Sequence, residues 1–319
     1  MTEPESTVMA MVTEAVTSLP EPVKTTLFKA LSNLLGGLTA IPAAKLKQYV
    51  KSIEDTTSAR SMIAAAVAKT AAAEAINDPV LIQAATEIYL PTNLRKAKNR
   101  LNVAQSAVKR LEETTSAGAD DETRPLDDDW MNSFSRFAED ASSERLQDLF
   151  GRILAGEVVR PGSFGLATLR AISELDQTIA NDFSLAWAKS VGAAVDYSAE
   201  WKRGEYFSRW KRLSEAGFMA PTEISQFSPD VHPVVGEQSL WTPMRAGNVW
   251  LLVYFHQSSS QWNHIEFTRV GREIGSLLDR PDYEANIRQA TNNLSRSGLT
   301  RIELHCLGKP EEVIWTAES

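Results

Sequence analysis

Apolar positions recur at helical spacing through the first two-thirds of the chain. Val23, Leu27, Leu31, Leu34, Leu35 and Leu38 follow Pro22, a residue suited to a first helical turn, and predict a helix closed by Gly36-Gly37. Leu46, Tyr49, Val50 and Ile53 repeat the pattern after Ile41-Pro42, and residues 59–76 are rich in alanine, the strongest helix former. Leu94, Ala97, Leu101, Ala104, Val108 and Leu111 alternate gaps of three and four, the spacing of a heptad seam. A polar stretch over 114–126, carrying Gly and Pro and no apolar period, reads as a linker. Beyond it Trp130, Phe134, Phe137 and Ala138 share a helix face. Leu146, Leu149, Phe150, Ile153 and Leu154 form a stripe behind Ser142 as N-cap, with Gly156 as C-cap and Pro161-Gly162 as a turn. Leu166, Leu169 and Ile172 mark the next helix. Ile179, Phe183, Trp187 and Val191 mark another, capped by Asp176.

From Trp201 the pattern changes. A basic, aromatic helix runs to Gly217 and a Pro-rich loop follows from Pro221 to Pro243. LWTPM and VWLLVYF flank Arg245-Ala246-Gly247-Asn248 as a hairpin, whose second strand is apolar at every position and so is expected to be covered on both sides. Phe267, Val270, Ile274, Leu277 and Leu278 predict one helix, and Tyr283, Ile287, Ala290 and Leu294 another. Ile302, Leu304 and Cys306 alternate with Arg301, Glu303 and His305 as a strand, and a short strand runs from Val313 to Trp315. The expected fold is mainly α: a helical N-terminal half and helical central block with a small C-terminal α+β, winged-helix-like domain. The expected boundaries are 1–118, 127–196 and 197–319.

The length, 319 residues, suits two domains or one large core with an appendage. No apolar run is long enough for a transmembrane helix, and the acidic N-terminus lacks the basic and apolar regions of a secretory signal. The lone Cys306 forms no internal disulfide, which fits a cytoplasmic location, with the inner-membrane periphery as a second option. One Cys and four scattered His exclude a Cys-rich zinc site. His256, His264 and Glu266 lie across a Ser-rich loop rather than on one face, so no metal and no cofactor are expected. No nucleophile elbow and no phosphate-binding glycine loop is present. Glu139, Asp140 and Glu157 are the one acidic group suited to acid–base work, and capping or pairing with arginines accounts for them as well.

Charge sharpens this picture. The net charge is −8, yet residues 22–111 carry thirteen Lys/Arg against five Asp/Glu, and residues 112–148 carry twelve Asp/Glu against three Arg. Whole-chain acidity argues against a general nucleic-acid binder, while the segregation points to surfaces that meet a second copy or another protein. Arg95, Lys96, Lys98 and Arg100 flank the heptad seam as one candidate docking ridge. Lys202, Arg203, Arg209, Lys211 and Arg212, interleaved with Trp201, Tyr206, Phe207 and Trp210, form a second, for nucleic acid or a protein partner. Lys24, Lys29, Lys45, Lys47 and Lys51 line an amphipathic stretch that fits a membrane surface or a partner.

The segment from Trp130 to Leu175 resembles a bacterial family catalogued as domain of unknown function 2806. That family runs an aromatic helix, an AED segment with a Ser cap, a Gln-containing helix ending ILAGE, then PGSF and a helix opening near TL. Here these read Trp130, Phe134, Ala138-Glu139-Asp140, Ser142, Gln147, Ile153-Leu154-Ala155-Gly156-Glu157, Pro161-Gly162-Ser163-Phe164 and Thr168-Leu169. With looser matches from Asn99 to Arg110 and at FTRVGREIGSLL, the likeness covers residues 85–280. Phe150 stands where an indole is usual and Ala167 where a basic residue is usual. The block is also distantly similar to alpha-type abortive-infection proteins. The resemblance implies a bacterial cytoplasmic protein of phage defence and supplies no catalytic residues. The expectation is a non-enzymatic defence protein acting through assembly with itself or a partner encoded nearby. A nucleic-acid-sensing winged-helix module and a membrane-surface effector are the alternatives.

Overall fold

The computed structural model describes residues 19–35, 90–114, 125–221, 225–227, 231–256 and 262–317. The chain divides into two compact units, Met1–Ser173 and Glu174–Ser319.

The described part of the first unit is helical: α1 (Glu21–Leu34), α2 (Leu90–Thr114), α3 (Asp128–Asp140), α4 (Glu144–Val159) and α5 (Leu166–Ser173). Side-chain caps fix two of the starts. Asp127 accepts the Trp130 amide at 2.7 Å, and Ser143, one residue beyond the expected cap, accepts that of Leu146 at 3.3 Å. The heptad seam expected in α2 is buried only in its second half, at Ala104, Val108 and Leu111. Ala97 and Leu101 stay partly exposed, while Val103, Ala104, Ala107, Val108 and Leu111 face inward, the wider stripe of a globular helix. That stripe meets α4 at Gly151, where a β-carbon would stand 2.4 Å from Ser106 Cβ. Only a hydrogen at that position lets the two helices approach so closely. Gly156 lies inside α4 rather than at its end, and its missing side chain makes room for the Phe164 ring, 2.8 Å from where a β-carbon would be. The predicted helix over 41–53 and the alanine-rich segment fall outside the described residues.

The second unit contradicts the expectation of a small winged-helix-like end. It holds α6 (Gln177–Ala188), a 3-10 turn (Ala199–Lys202), α7 (Glu205–Glu215), α8 (Arg269–Gly275) and α9 (Tyr283–Thr291), together with two antiparallel sheets. One sheet has the order β1 (Ser190–Val191), β2 (Ala194–Asp196), β7 (Trp262–Glu266), β3 (Ser225–Phe227). The other runs β4 (His232–Pro233), β5 (Leu240–Ala246), β6 (Val249–Phe255), β8 (Leu299–Cys306), β9 (Glu312–Thr316). The correction has a physical origin. The hairpin β5–β6 is seven residues on each arm, and β8 pairs along the whole of β6, so a wide apolar face forms that a lone wing does not have. Short β3 and β4, which lie in the stretch read as a loop, add to the two sheets. The helix expected from Trp201 is interrupted at Gly204, whose φ of 76° lies in the left-handed region and separates the 3-10 turn from α7.

One face of the five-stranded sheet carries Met244, Leu251, Val253, Phe255, Ile302 and Leu304 against Ile287, Ala290 and Leu294 of the α9 region. A separate aromatic cluster of Phe183, Trp187, Phe218 and Phe267 joins α6 to α8. Glu284 of α9 reaches Arg288 at 3.0 Å and Lys309, in the β8–β9 turn, at 2.6 Å. Lys309 and Arg288 hold its carboxyl down at about 2, from an ordinary 4.5. The stabilising tie is therefore complete above the ordinary value and is lost as pH falls through about 2. Carboxyl NMR titration is expected to place the Glu284 midpoint near that lower value, and Lys309→Met to move it upward. A native midpoint at the ordinary value would contradict the pairing.

Candidate functional site

The cationic ridges expected from sequence are engaged to different degrees. In the first unit Lys96 Nζ lies 2.7 Å from Glu139 Oε1, and Arg100 donates to the other oxygen of the same carboxylate. Burial alone would lift the Glu139 carboxyl, but Lys96 and Arg100 overcome this and hold it below the usual carboxylate range. Asp140 stands 3.8 Å from Lys96 and is exposed. Beneath them is a polar network. Asn99 donates to the Glu139 carbonyl at 2.8 Å, and Gln147 donates to the Ala141 carbonyl at 2.8 Å and to Asn99 Oδ1 at 3.2 Å. Asn102 donates to Gln147 Oε1 at 3.0 Å. Arg95 and Lys98 are exposed.

The buried Glu157 carboxylate accepts the backbone amides of Gly162 at 2.5 Å and Phe164 at 3.0 Å, and the Phe164 carbonyl accepts Trp130 Nε1–H at 2.7 Å. The segment from Glu139 to Phe164 thus spends its polar groups on joining α2, α3 and α4 and on closing the Pro161-Gly162 turn. Glu139 and Glu157 point to different partners and form no acid pair.

Arg209 and Arg212 of α7 both donate to Asp182 of α6, at 2.9 and 2.7 Å, and Arg209 also lies over the Tyr206 ring at 4.6 Å. Lys202 sits over Tyr197 at 5.5 Å, Lys211 lies 4.0 Å from Glu215, and Arg203 is exposed. Lys29 lies 3.5 Å from Asp128, and Lys24 is partly exposed. Lys45, Lys47 and Lys51 lie outside the described residues.

A small polar pocket in the second unit is lined by Lys189, Asp196, Ser198, Glu200 and Trp201. Burial pushes the Asp196 carboxyl up, against the Trp262 Nε1–H it accepts at 2.8 Å and a bond from Asn293. Lys189 and Glu200 pair across the pocket at 2.8 Å. His264 is buried and stacked on Trp262, whereas His256 is exposed. Among the described residues no group of three His, Cys, Asp or Glu is placed to hold a metal ion, and no helix is long and apolar enough to cross a membrane.

The arrangement that sequence reasoning missed is the outer face of the five-stranded sheet. Burial alternates strictly along β6: Val249, Leu251, Val253 and Phe255 are buried, while Trp250, Leu252 and Tyr254 keep part of their surface outside. The expectation that both faces of this strand are covered is therefore corrected. Register sets three rows across the outer face, because directly paired residues point the same way. His232, Trp241, Tyr254, Arg301 and Thr316 form the first, Pro243, Leu252, Glu303 and Val313 the second, and Arg245, Trp250 and His305 the third. Within these rows His232 lies on Trp241 at 4.7 Å, Arg301 on Tyr254 at 4.2 Å and Arg245 on Trp250 at 5.2 Å.

Glu303, 9 % exposed, lies within the three rows, and the exposed Glu311 stands beside them, 3.5 Å from His305 Nδ1. Glu303 accepts from Tyr254 Oη at 2.9 Å, pairs with Arg301 at 2.8 Å and lies 3.0 Å from His305 Nε2. Burial and then this carboxylate raise the Tyr254 phenol. The face thus offers flat rings and guanidinium groups around an acid whose charge is already matched. The signal for it was the polar set Arg301, Glu303 and His305 in β8, which marks the outward side of every strand paired to it.

Residues 92–201 match a family model described as a protein of unknown function (DUF2806). The match runs from α2 to the 3-10 turn and contains the signature from Trp130 to Leu169, so the resemblance holds over about a third of the chain. The rows of the outer sheet face lie beyond it. No curated protein and no solved structure matches the chain.

Proposed function

We propose that this chain is a non-enzymatic binding protein of bacterial phage defence, working through assembly with a partner that docks on the outer face of the five-stranded sheet. One observation carries the reading: a sheet face with three aromatic rings and two guanidinium groups partly open to solvent. Large aromatic and arginine side chains are the types that dominate binding energy where they are exposed together. Lys96, Arg100, Arg209 and Arg212 of the helical ridges are spent on internal pairs, as Arg301 is on Glu303, and it is the open rings beside Arg245 that speak for this face as the contact surface. The defence setting rests on the sequence resemblance alone.

A phage plating assay tests it. Bacteria expressing the native chain are expected to show plaque counts reduced by an order of magnitude or more. Cells expressing Arg245→Ala or Trp250→Ala are expected to plate phage like cells without the gene. Equal plating with and without the native chain would remove the defence reading.

A further inference from the structure

We infer that the outer face of the five-stranded sheet binds a single-stranded polynucleotide, its bases stacking on Trp241, Tyr254 and Trp250 and its phosphates meeting Arg245. This rests on the reading of that face as the docking surface and names its occupant. Three features favour a polynucleotide over a protein. First, three rings stand in the two outer rows, on either side of an aliphatic row of Pro243, Leu252 and Val313. Every base has a π-face, so rings accept a strand without reading its sequence. Second, each ring has a cationic or imidazole neighbour in its own row, Arg245 on Trp250, Arg301 on Tyr254 and His232 on Trp241. A base stacked on such a ring brings its phosphate within reach of the neighbouring charge. Third, the acids of the face are engaged: Glu303 meets Tyr254, Arg301 and His305, and the exposed Glu311 lies 3.5 Å from His305, which leaves Arg245 as the guanidinium open to phosphate.

The spacing also fits. Successive rows lie two residues apart along β6, about 7 Å, so Tyr254, Leu252 and Trp250 present a ring, an aliphatic step and a ring over a span of two such steps. A flexible single strand follows that line by splaying its bases. A duplex, with its bases stacked inside, offers the rings nothing but backbone.

Fluorescence anisotropy of the full chain with labelled oligo-dT and oligo-U of roughly a dozen nucleotides decides the point. Saturable binding at low salt is expected, with a duplex of equal length much weaker. Loss of one stacking ring in Trp250→Ala is expected to weaken binding on the order of ten- to a hundredfold. Arg245→Ala, at an exposed position, is expected to lower the slope of log affinity against log salt by about 0.7. Binding of both oligomers identifies the shared polynucleotide chemistry, and binding of one identifies the source as DNA or RNA. No binding of either at low salt overturns the inference. So does binding unchanged by Arg245→Ala and Trp250→Ala but lost in Arg95→Glu/Lys98→Glu. If oligomers fail to bind while phage plating still depends on Arg245 and Trp250, the docking face stands with a protein partner and this inference falls.

Discussion

Asp182→Ala is expected to lower the unfolding free energy by about 3–5 kcal/mol, because breaking a buried ion pair leaves an uncompensated charge inside. Asp182 is 5 % exposed and Arg209 9 %, and both oxygens of the carboxylate are used, one by each of two arginines. Burial pushes the Asp182 carboxyl up, but Arg212 and Arg209 outweigh it and the value falls below the ordinary 3.8. The pair's stabilisation is thus complete above that ordinary value and fades as pH drops below it. Removing the acid strands the Arg209 guanidinium over Tyr206 with only Glu205, 4.0 Å away, in reach. Urea unfolding of the native chain and the variant measures the loss. The double change Asp182→Ala/Arg209→Met is expected to recover part of it by removing the stranded charge. A loss under about 1 kcal/mol would mean that the pair behaves as a solvated surface bridge.

Glu157→Ala is expected to cost about 3–6 kcal/mol, since charge-assisted hydrogen bonds are worth roughly 1.5–3 kcal/mol each and two amides lose their acceptor. The carboxylate is 3 % exposed and closes the loop that carries Phe164 back onto Gly156 and Trp130. Glu157→Gln keeps one acceptor oxygen and is expected to lose about half as much. Thermal unfolding followed by circular dichroism distinguishes the three chains. If Glu157→Ala unfolds like the native chain, the carboxylate has no structural role and its place in the family signature needs a chemical explanation.

The helices between Asp128 and Ala188 were legible because their signals are local. Trp130, Phe134 and Ala138 fall on one face, Asp176 caps the helix that follows it, and Pro161-Gly162 makes the turn. The β-rich unit was much less so. Trp250 and Tyr254 count as apolar in any periodicity, so a strand with one half-open face read as covered on both sides. β3 and β4 are three and two residues long and exist through their pairing with β7 and β5, which no local pattern encodes. The cationic ridges were legible as residues but not as surfaces. Lys96 meets Glu139 across 43 positions and Arg209 meets Asp182 across 27, so helical spacing alone gave no sign of either pair. The outer face was half visible: β8 displayed its polar side, and the register that extends that side over β5 and β6 appeared only with the fold.

The close crossing of α2 and α4 at Gly151 has a consequence for how this segment varies among relatives. With the Ser106 side chain and the Ala107 amide nitrogen 2.4 and 3.0 Å from where a methyl group would begin, Gly151 has no room to grow while Ser106 stays as it is. A lineage that gains bulk at one of these two sites must surrender it at the other or spread the helices. The two positions should therefore drift as a couple, with the sum of their volumes held nearly constant.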